Sequence, residues 1–368
     1  MQVHVRQLIR RHSPPCPYRH GYESLGLDLG VLGPCVVTFA TQRHRVRYFN
    51  MVRVSVEYRV PYGAIMAVSA RTGFLGLEED WTQIPDVSII QIPFEMTVSY
   101  GTGTSEGPSS ALEASLQVEA FSEYLGEDLP AGMNVRTLDP WSFEGPTLVS
   151  HLESIQEHVQ QGLTHGEFPI LLGGEHSLLL PAIKACVSEG VLNSLNDLTL
   201  VQIDAHADLR DELNGERFSH GTVIKRCLDE GLGRVIQIGI RAFSKEESRM
   251  IDLDDRISVW RAREIRENND SIPSILDCLS QITGPIWLSV DVDALDPSIV
   301  PGTGTPVPGG LDYWLVSRIV EGVFERGGGV IGADVSEIAP DEYGITQFTA
   351  ASLASLVLAC HAKKMQEV

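Results

Sequence analysis

The chain predicts an α/β fold: a single domain built on a mostly parallel sheet with helices on both faces. Three observations carry that expectation. From Val87 onward, strand-like runs alternate with helical patterns, as in successive strand–helix–strand units. The strand-like runs are mostly apolar from end to end, which suits strands buried on both faces. Several stop at aspartate or histidine, at the strand ends where an open parallel sheet forms its ligand crevice.

Charge divides the chain before any element does. Residues 1–71 hold ten arginines, no lysine and three acids (Glu23, Asp28, Glu57), whereas residues 72–368 hold 18 basic and 46 acidic groups. Such a discontinuity marks a boundary, giving an N-terminal extension over residues 1–70 and a main domain over residues 71–368. The extension is expected to be disordered, or to lie upstream of a native start at Met51 or Met66. Its prolines (Pro14, Pro15, Pro17) and few serines do not suit an organellar leader. The apolar patch of residues 30–40 lies too far from the start, behind Asp28, for a secretory signal.

In the main domain the strand candidates are Val87–Ile92, Met133–Leu138, Ile170–Leu172, Leu198–Ile203, Arg234–Ile238, Ile257–Val259, Ile286–Val290 and Val330–Val335. Helical patterns fall between them over Gly107–Leu125, Pro146–Gln161, Ser177–Gly190 and Ser219–Gly231. The segment Pro93–Pro108, rich in glycine and small hydroxyl residues, reads as a loop at the crevice rim. It is no phosphate cradle, because no lysine follows its glycines. The longest apolar candidate, Phe348–Ala362, is interrupted by Thr349, Ser352, Ser355 and His361 and reads as a buried C-terminal helix. With no unbroken apolar stretch of 18 residues, no membrane-spanning helix is expected.

A net charge of −21 argues against nucleic acid, whose backbone demands a basic stripe, and is compatible with a small cationic substrate. The cysteines (Cys16, Cys35, Cys186, Cys227, Cys278, Cys360) are scattered without a CxxC pair, so they form neither a zinc frame nor a disulfide scaffold. Free thiols in a reducing cytoplasm are expected.

Chemistry concentrates at three strand ends. Asp204-Ala205-His206-Ala207-Asp208 follows the fourth strand candidate, and on an extended backbone its three polar side chains would leave on one side. Hard oxygens with one imidazole suit a divalent ion such as manganese. Asp291-Val292-Asp293 ends another strand; two carboxylates beside a buried sheet are costly unless a cation compensates. A third strand leads into Gly173-Gly174-Glu175-His176-Ser177, whose glycines permit a tight turn and set His176 at a helix start. Four aspartates and two histidines make an inventory for two divalent metal ions.

These segments, with Gly332-Ala333-Asp334-Val335-Ser336-Glu337, resemble the ordered motifs of the ureohydrolase superfamily, which contains arginases, agmatinases and formimidoylglutamases. The resemblance runs from about residue 75 to the C-terminus and is closest to agmatinases. It implies the architecture above, with eight strands. It implies two manganese ions, one held by His176, Asp204, Asp208 and Asp291, the other by His206, Asp204, Asp291 and Asp293. It further implies that His220 passes protons, that Glu337 pairs with a substrate guanidinium, and that Asp208 holds a proton of the nucleophile. Asp334, near a buried strand end, is expected to orient a ligand. The implied activity is hydrolysis of a guanidino group to urea and an amine by a homo-oligomer, a trimer or hexamer.

The run after Asp208 and Gly239-Ile240-Arg241 are similar to agmatinases, which puts agmatine first as substrate and guanidinobutyrate next. Two positions depart from the pattern: Val307 stands where many agmatinases carry glutamate, and Glu175 where many relatives carry aspartate. A catalytically silent binding protein and a zinc amide deacetylase are the competing classes. The complete ligand set disfavours the first, and the doubled carboxylates the second.

Overall fold

A computed structural model describes residues 73–367; the expectation for residues 1–70 lies outside them. The chain enters the sheet at β1 (Val87–Ile92), runs through helix α1 (Gly107–Ser115) and a two-residue hairpin, β2 (Phe121–Ser122) and β3 (Glu127–Asp128), and returns as β4 (Val135–Thr137). Helix α2 (Leu148–Gln161) and β5 (Phe168–Gly173) follow, then α3 (Leu179–Ser188), β6 (Thr199–Ile203), α4 (Val223–Asp229), β7 (Arg234–Ile240), α5 (Lys245–Leu253) and β8 (Ile257–Arg261). The last third holds α6 (Ala262–Glu267), α7 (Ser271–Ser280), β9 (Ile286–Asp291), α8 (Tyr313–Arg326), β10 (Val330–Ser336) and α9 (Ile345–Gln366).

Every expected strand is present. They make one eight-stranded sheet in the order β4-β1-β5-β10-β9-β6-β7-β8, and each neighbouring pair is parallel. The strands β1, β5, β6 and β9 are buried at every residue, which explains why their sequences do not alternate. Apolar residues from both faces form two core clusters, one centred on Ile89, Val201 and Leu288, the other on Ile90, Leu200 and Trp287. Neighbouring strand residues thus supply opposite layers, as the pleat requires.

Helix starts follow local chemistry. Thr147 caps α2, accepting from Ser150 N at 3.1 Å. Ser244 and Glu247 form a reciprocal capping box at α5. Two expectations need correction. The helix expected over 107–125 ends at Ser115, whose hydroxyl turns back to Leu112 O (2.7 Å) and accepts Leu75 N (2.9 Å). The chain then forms the β2–β3 hairpin, turning at Gly126 with φ +83°. The C-terminal helix is longer than expected, at 22 residues. By length and hydropathy α9 could cross a bilayer, but here most of it is buried, packed on α1, α8 and the sheet. The described cysteines are unpaired, with Cys186, Cys227 and Cys360 buried.

The turn after β5 explains its glycines. A Cβ on Gly174 would stand 2.2 Å from the Phe94 carbonyl oxygen, a backbone atom that cannot swing aside. Gly174→Ala is therefore expected to cost about 2 kcal/mol or more, read as a lower denaturant midpoint; an unchanged midpoint would refute the tight approach.

Candidate metal centre and active site

The four adjacent strands β5, β10, β9 and β6 end on one side of the sheet, and every sequence-predicted ligand lies at or just past one of those ends. The side chains do not converge by simple alternation, however. β6 stops at Ile203, the backbone then bends, and Asp208 takes a left-handed φ of +52°. His206 is fixed by a parallel bridge to Ala242 beyond β7. After β9 a 3-10 turn spans Val292–Ala294, and the Asp291 carboxylate caps it by accepting Asp293 N at 2.8 Å. Glu337, past β10, also has a left-handed φ, +57°. Holding two non-glycine residues there costs ~1–3 kcal/mol each, a strain located at the site.

Two triads result: His176, Asp204 and Asp291, and Asp204, His206 and Asp293. His176 Nδ1 lies 3.2 Å from Asp204 Oδ2, 3.1 Å from Asp208 Oδ2 and 3.5 Å from Asp291 Oδ2. His206 Nδ1 lies 2.8 Å from Asp293 Oδ2 and 3.7 Å from Asp204 Oδ1. Adjacent donors on an octahedral cation sit roughly 3 Å apart when the bonds are about 2.1 Å, so the donor spacing and the nitrogen–carboxylate set both fit divalent ions. Asp204 joins the triads. Asp291 belongs to the His176 triad alone, and its Oδ1 accepts the Asp293 amide. Asp208 stands outside both triads but beside His176.

Buried polar partners aim these ligands. His176 Nε2 meets Ser289 Oγ at 2.9 Å, and Ser289 donates to Asp334 Oδ1 at 2.9 Å, while Trp287 Nε1 donates to Asp334 Oδ2 at 2.7 Å. Asp334 thus orients His176 through a hydroxyl and keeps its Nδ1, the atom that would ligate a cation, toward the carboxylates. Gln202 donates to Asp204 Oδ2 at 2.6 Å, and Gln237 donates to Gln202 Oε1 and Ala207 O, both at 2.7 Å. Neither glutamine was singled out from sequence. The available signal was an amide inside each of two apolar strands, where a buried polar group needs a partner.

Without cations the cluster balances its charge with protons. Burial, then Asp204, pushes the Asp208 carboxyl up to about 7, and burial, then Glu175, pushes Glu337 up to about 8. Burial, with Asp293 and Asp204 beside it, raises Asp291 well above the usual range. Burial opposes charging His176 and His206, yet the surrounding aspartates outweigh it and raise both. These groups hold protons more tightly folded than unfolded, where carboxyls titrate near ~4 and imidazole near ~6.5. The stabilisation they give is complete below those values and is lost as pH rises through the folded ones. Asp204 runs the other way: burial raises it, but His176 and His206 prevail and lower it, so its contribution is already complete by about pH 5. Burial lowers the pKa of His158, His220 and His361, whose opposite contribution is complete by about pH 7. From about pH 7 to 9 metal-free protein is therefore expected to lose thermal stability, and added manganese to flatten that slope. A Tm that rose across this window after chelation would contradict the cluster's charge balance.

Beside the triads opens a cleft of about 280 Å³ lined by His206, Asp208, His220, Ser99, Phe243 and Thr305 among others. His220 opens the 3-10 turn before α4, with Nδ1 at 3.2 Å from Thr97 Oγ1 and Nε2 at 3.4 Å from Ser99 Oγ. Burial outweighs the pull of Glu175 and lowers the His220 pKa, favouring neutral imidazole. The segment after β1 is a rim loop as expected, pinned by Glu95 to Gly103 N (2.7 Å) and by Gly101 N to Gly304 O (2.8 Å). Glu337 Oε1 accepts His176 N at 2.8 Å, and Oε2 has no protein hydrogen bond among the described residues. Arg241 braces the rim from below, donating to the carbonyls of Asp293 (2.7 Å), Ala294 (3.2 Å) and Val307 (2.7 Å). At position 307 the backbone is what the site uses.

The chain is also similar to known proteins. A sequence profile described as the arginase family matches residues 85–360. An N(1)-aminopropylagmatine ureohydrolase of Synechocystis is 34% identical over 277 residues, covering 73% of this chain and 86% of that one. An agmatinase of Bacillus anthracis is 33% identical over 262 residues, covering 69% and 84%. The crystal structure of an agmatine ureohydrolase of Thermoplasma volcanium superposes with a TM-score of 0.68 at 27% identity, covering 83% of this chain and 99% of the other.

Proposed function

This chain belongs to the arginase family, and from that premise we propose that it cleaves agmatine to urea and putrescine at a manganese pair. The observation that carries the proposal is the sharing of Asp204 between two histidine–aspartate triads beside a cleft that His220 lines. By the family resemblance, His176, Asp204, Asp208 and Asp291 would hold one ion, and His206, Asp293, Asp204 and Asp291 the other. When bound, two such cations acidify a shared water enough for it to act as a nucleophile at neutral pH.

The chain's own groups do the rest. Glu337 offers its free Oε2 to the guanidinium, and the cation's arrival drives its carboxyl, otherwise held up to about 8 by burial and Glu175, into the ionised form. Asp208, beside His176, keeps the remaining proton of the nucleophile oriented. Attack on the guanidinium carbon gives a tetrahedral adduct. The adduct's hydroxyl proton, held beside Asp208, passes to the free Nε2 of His220 on the cleft side and from there to the leaving nitrogen. The C–N bond breaks as the carbonyl of urea forms. Urea and putrescine leave.

Agmatine stands first because the run after Asp208 and Gly239-Ile240-Arg241 are agmatinase-like and because relatives bearing that activity cover most of the chain. The test is urea release by manganese-loaded protein from agmatine, arginine, guanidinobutyrate and guanidine assayed side by side. Agmatine is expected to show the highest kcat/KM. A fully loaded protein that released urea from none of them would overturn the proposal, and a clear preference for another compound would overturn the choice of substrate.

A further inference from the structure

We propose that Thr97, bridging Glu175 to His220, is a positioning residue that fixes the tautomer of the His220 imidazole. The inference rests on the proton-passing role proposed for His220. It joins the rim loop after β1 and the glutamate at position 175, which that mechanism leaves unused.

Glu175 is fully buried, and its carboxylate accepts every hydrogen bond it makes among the described residues. Its Oε2 takes the backbone amides of Met96 (2.8 Å) and Thr97 (2.7 Å), and its Oε1 takes the hydroxyls of Ser177 (3.0 Å) and Thr97. A hydroxyl has one proton, and Thr97 gives it to the carboxylate. Its oxygen is then left with lone pairs only. Two groups of His220 approach that oxygen: the backbone N–H at 3.2 Å and ring Nδ1 at 3.2 Å. Both must donate, so the neutral ring carries its proton on Nδ1 and its lone pair on Nε2. Nε2 lies on the Ser99 side, in the lining of the cleft.

That is the tautomer proton transfer needs. With Nε2 unprotonated the ring can take a proton from the cleft and return it to a leaving nitrogen without rotating. With Nε2 protonated, the lone pair would face Thr97 and the first transfer would be blocked. Glu175 Oε1 lies 3.9 Å from His220 Nδ1, too far for a direct bond, so the hydroxyl is the link. A base held in one tautomer by a third group is a recurring device of proton-transfer sites. The same bonds tether Met96 and Thr97, so the rim loop and the imidazole are set by one carboxylate.

The test is Thr97→Val, nearly isosteric but without the hydroxyl, beside Thr97→Ser, which restores it. Thr97→Val is expected to lower kcat roughly tenfold to a hundredfold with KM within about twofold and metal content unchanged, and Thr97→Ser to stay within about threefold of wild type. Should Thr97→Val fail to fold, 15N spectra of histidine-labelled wild-type protein loaded with magnesium read the tautomer directly. A protonated Nδ1 at His220 supports the inference and a protonated Nε2 overturns it. Full turnover in Thr97→Val, or equal loss in Thr97→Ser, also overturns it. A His220→Ala control separates the two levels: if that variant retains turnover, the proton-passing role itself is wrong. If it is inactive while Thr97→Val is not, only the link fails.

Discussion

Asp204→Asn is expected to lower kcat by about a thousandfold or more and to leave fewer than two metal ions per chain. The substitution keeps the shape of the side chain, so the loss isolates charge and donor pattern. Asp204 is the residue both triads share, and it is completely buried. Each of its oxygens already accepts an N–H, Oδ1 from His206 N at 2.6 Å and Oδ2 from Gln202 Nε2 at 2.6 Å. An amide nitrogen placed at either end therefore confronts a donor, whichever way the group flips. The buried carboxylate that balances two dications is lost as well. Elemental analysis of the purified variant with a urea assay checks both halves; two ions retained with normal turnover would remove Asp204 from the centre.

His220→Ala is expected to behave differently. The ring belongs to neither triad, so metal content and thermal stability in manganese should match wild type. Proton transfer to the leaving nitrogen is lost, and kcat should fall by roughly two to four orders of magnitude with little change in KM. Single-turnover urea release at saturating agmatine, alongside metal analysis, reads this. A variant that lost its metal instead would place His220 among the ligands.

Comparing the two variants also shows where sequence was informative. The central strands β1, β5, β6 and β9 were legible because they are buried at every residue and so left near-continuous apolar runs. The edge strands β4 and β8 are only partly buried and were legible from their place in the strand–helix alternation. The candidate ligands stood out in the sequence as residues but not as geometry. The Asp204–Asp208 segment suggests an extended backbone, yet it bends, and Asp208 reaches His176 only by adopting a positive φ. Likewise Asp291 could not be known to spend one oxygen on the Asp293 amide, which depends on the 3-10 turn after β9. The helix expected over 107–125 failed for a tertiary reason: Ser115 is engaged by Leu75, a contact 40 positions away. The individual roles of Gln202, Gln237, Ser289 and Thr97 were not legible, because they come from neighbours distant in sequence.

The strand order has one more consequence. β9 and β10 are the last strands in the sequence, yet they occupy the middle of the sheet, between β5 and β6. The earlier strands fall into two three-strand groups, β4-β1-β5 and β6-β7-β8, that no ladder joins except through β10 and β9. A growing polypeptide that has reached only α7 possesses His176 and the Asp204–Asp208 segment but no Asp291, Asp293 or Glu337. The last two strands are thus the keystone of the sheet: they join its two halves and bring the final donors to the site.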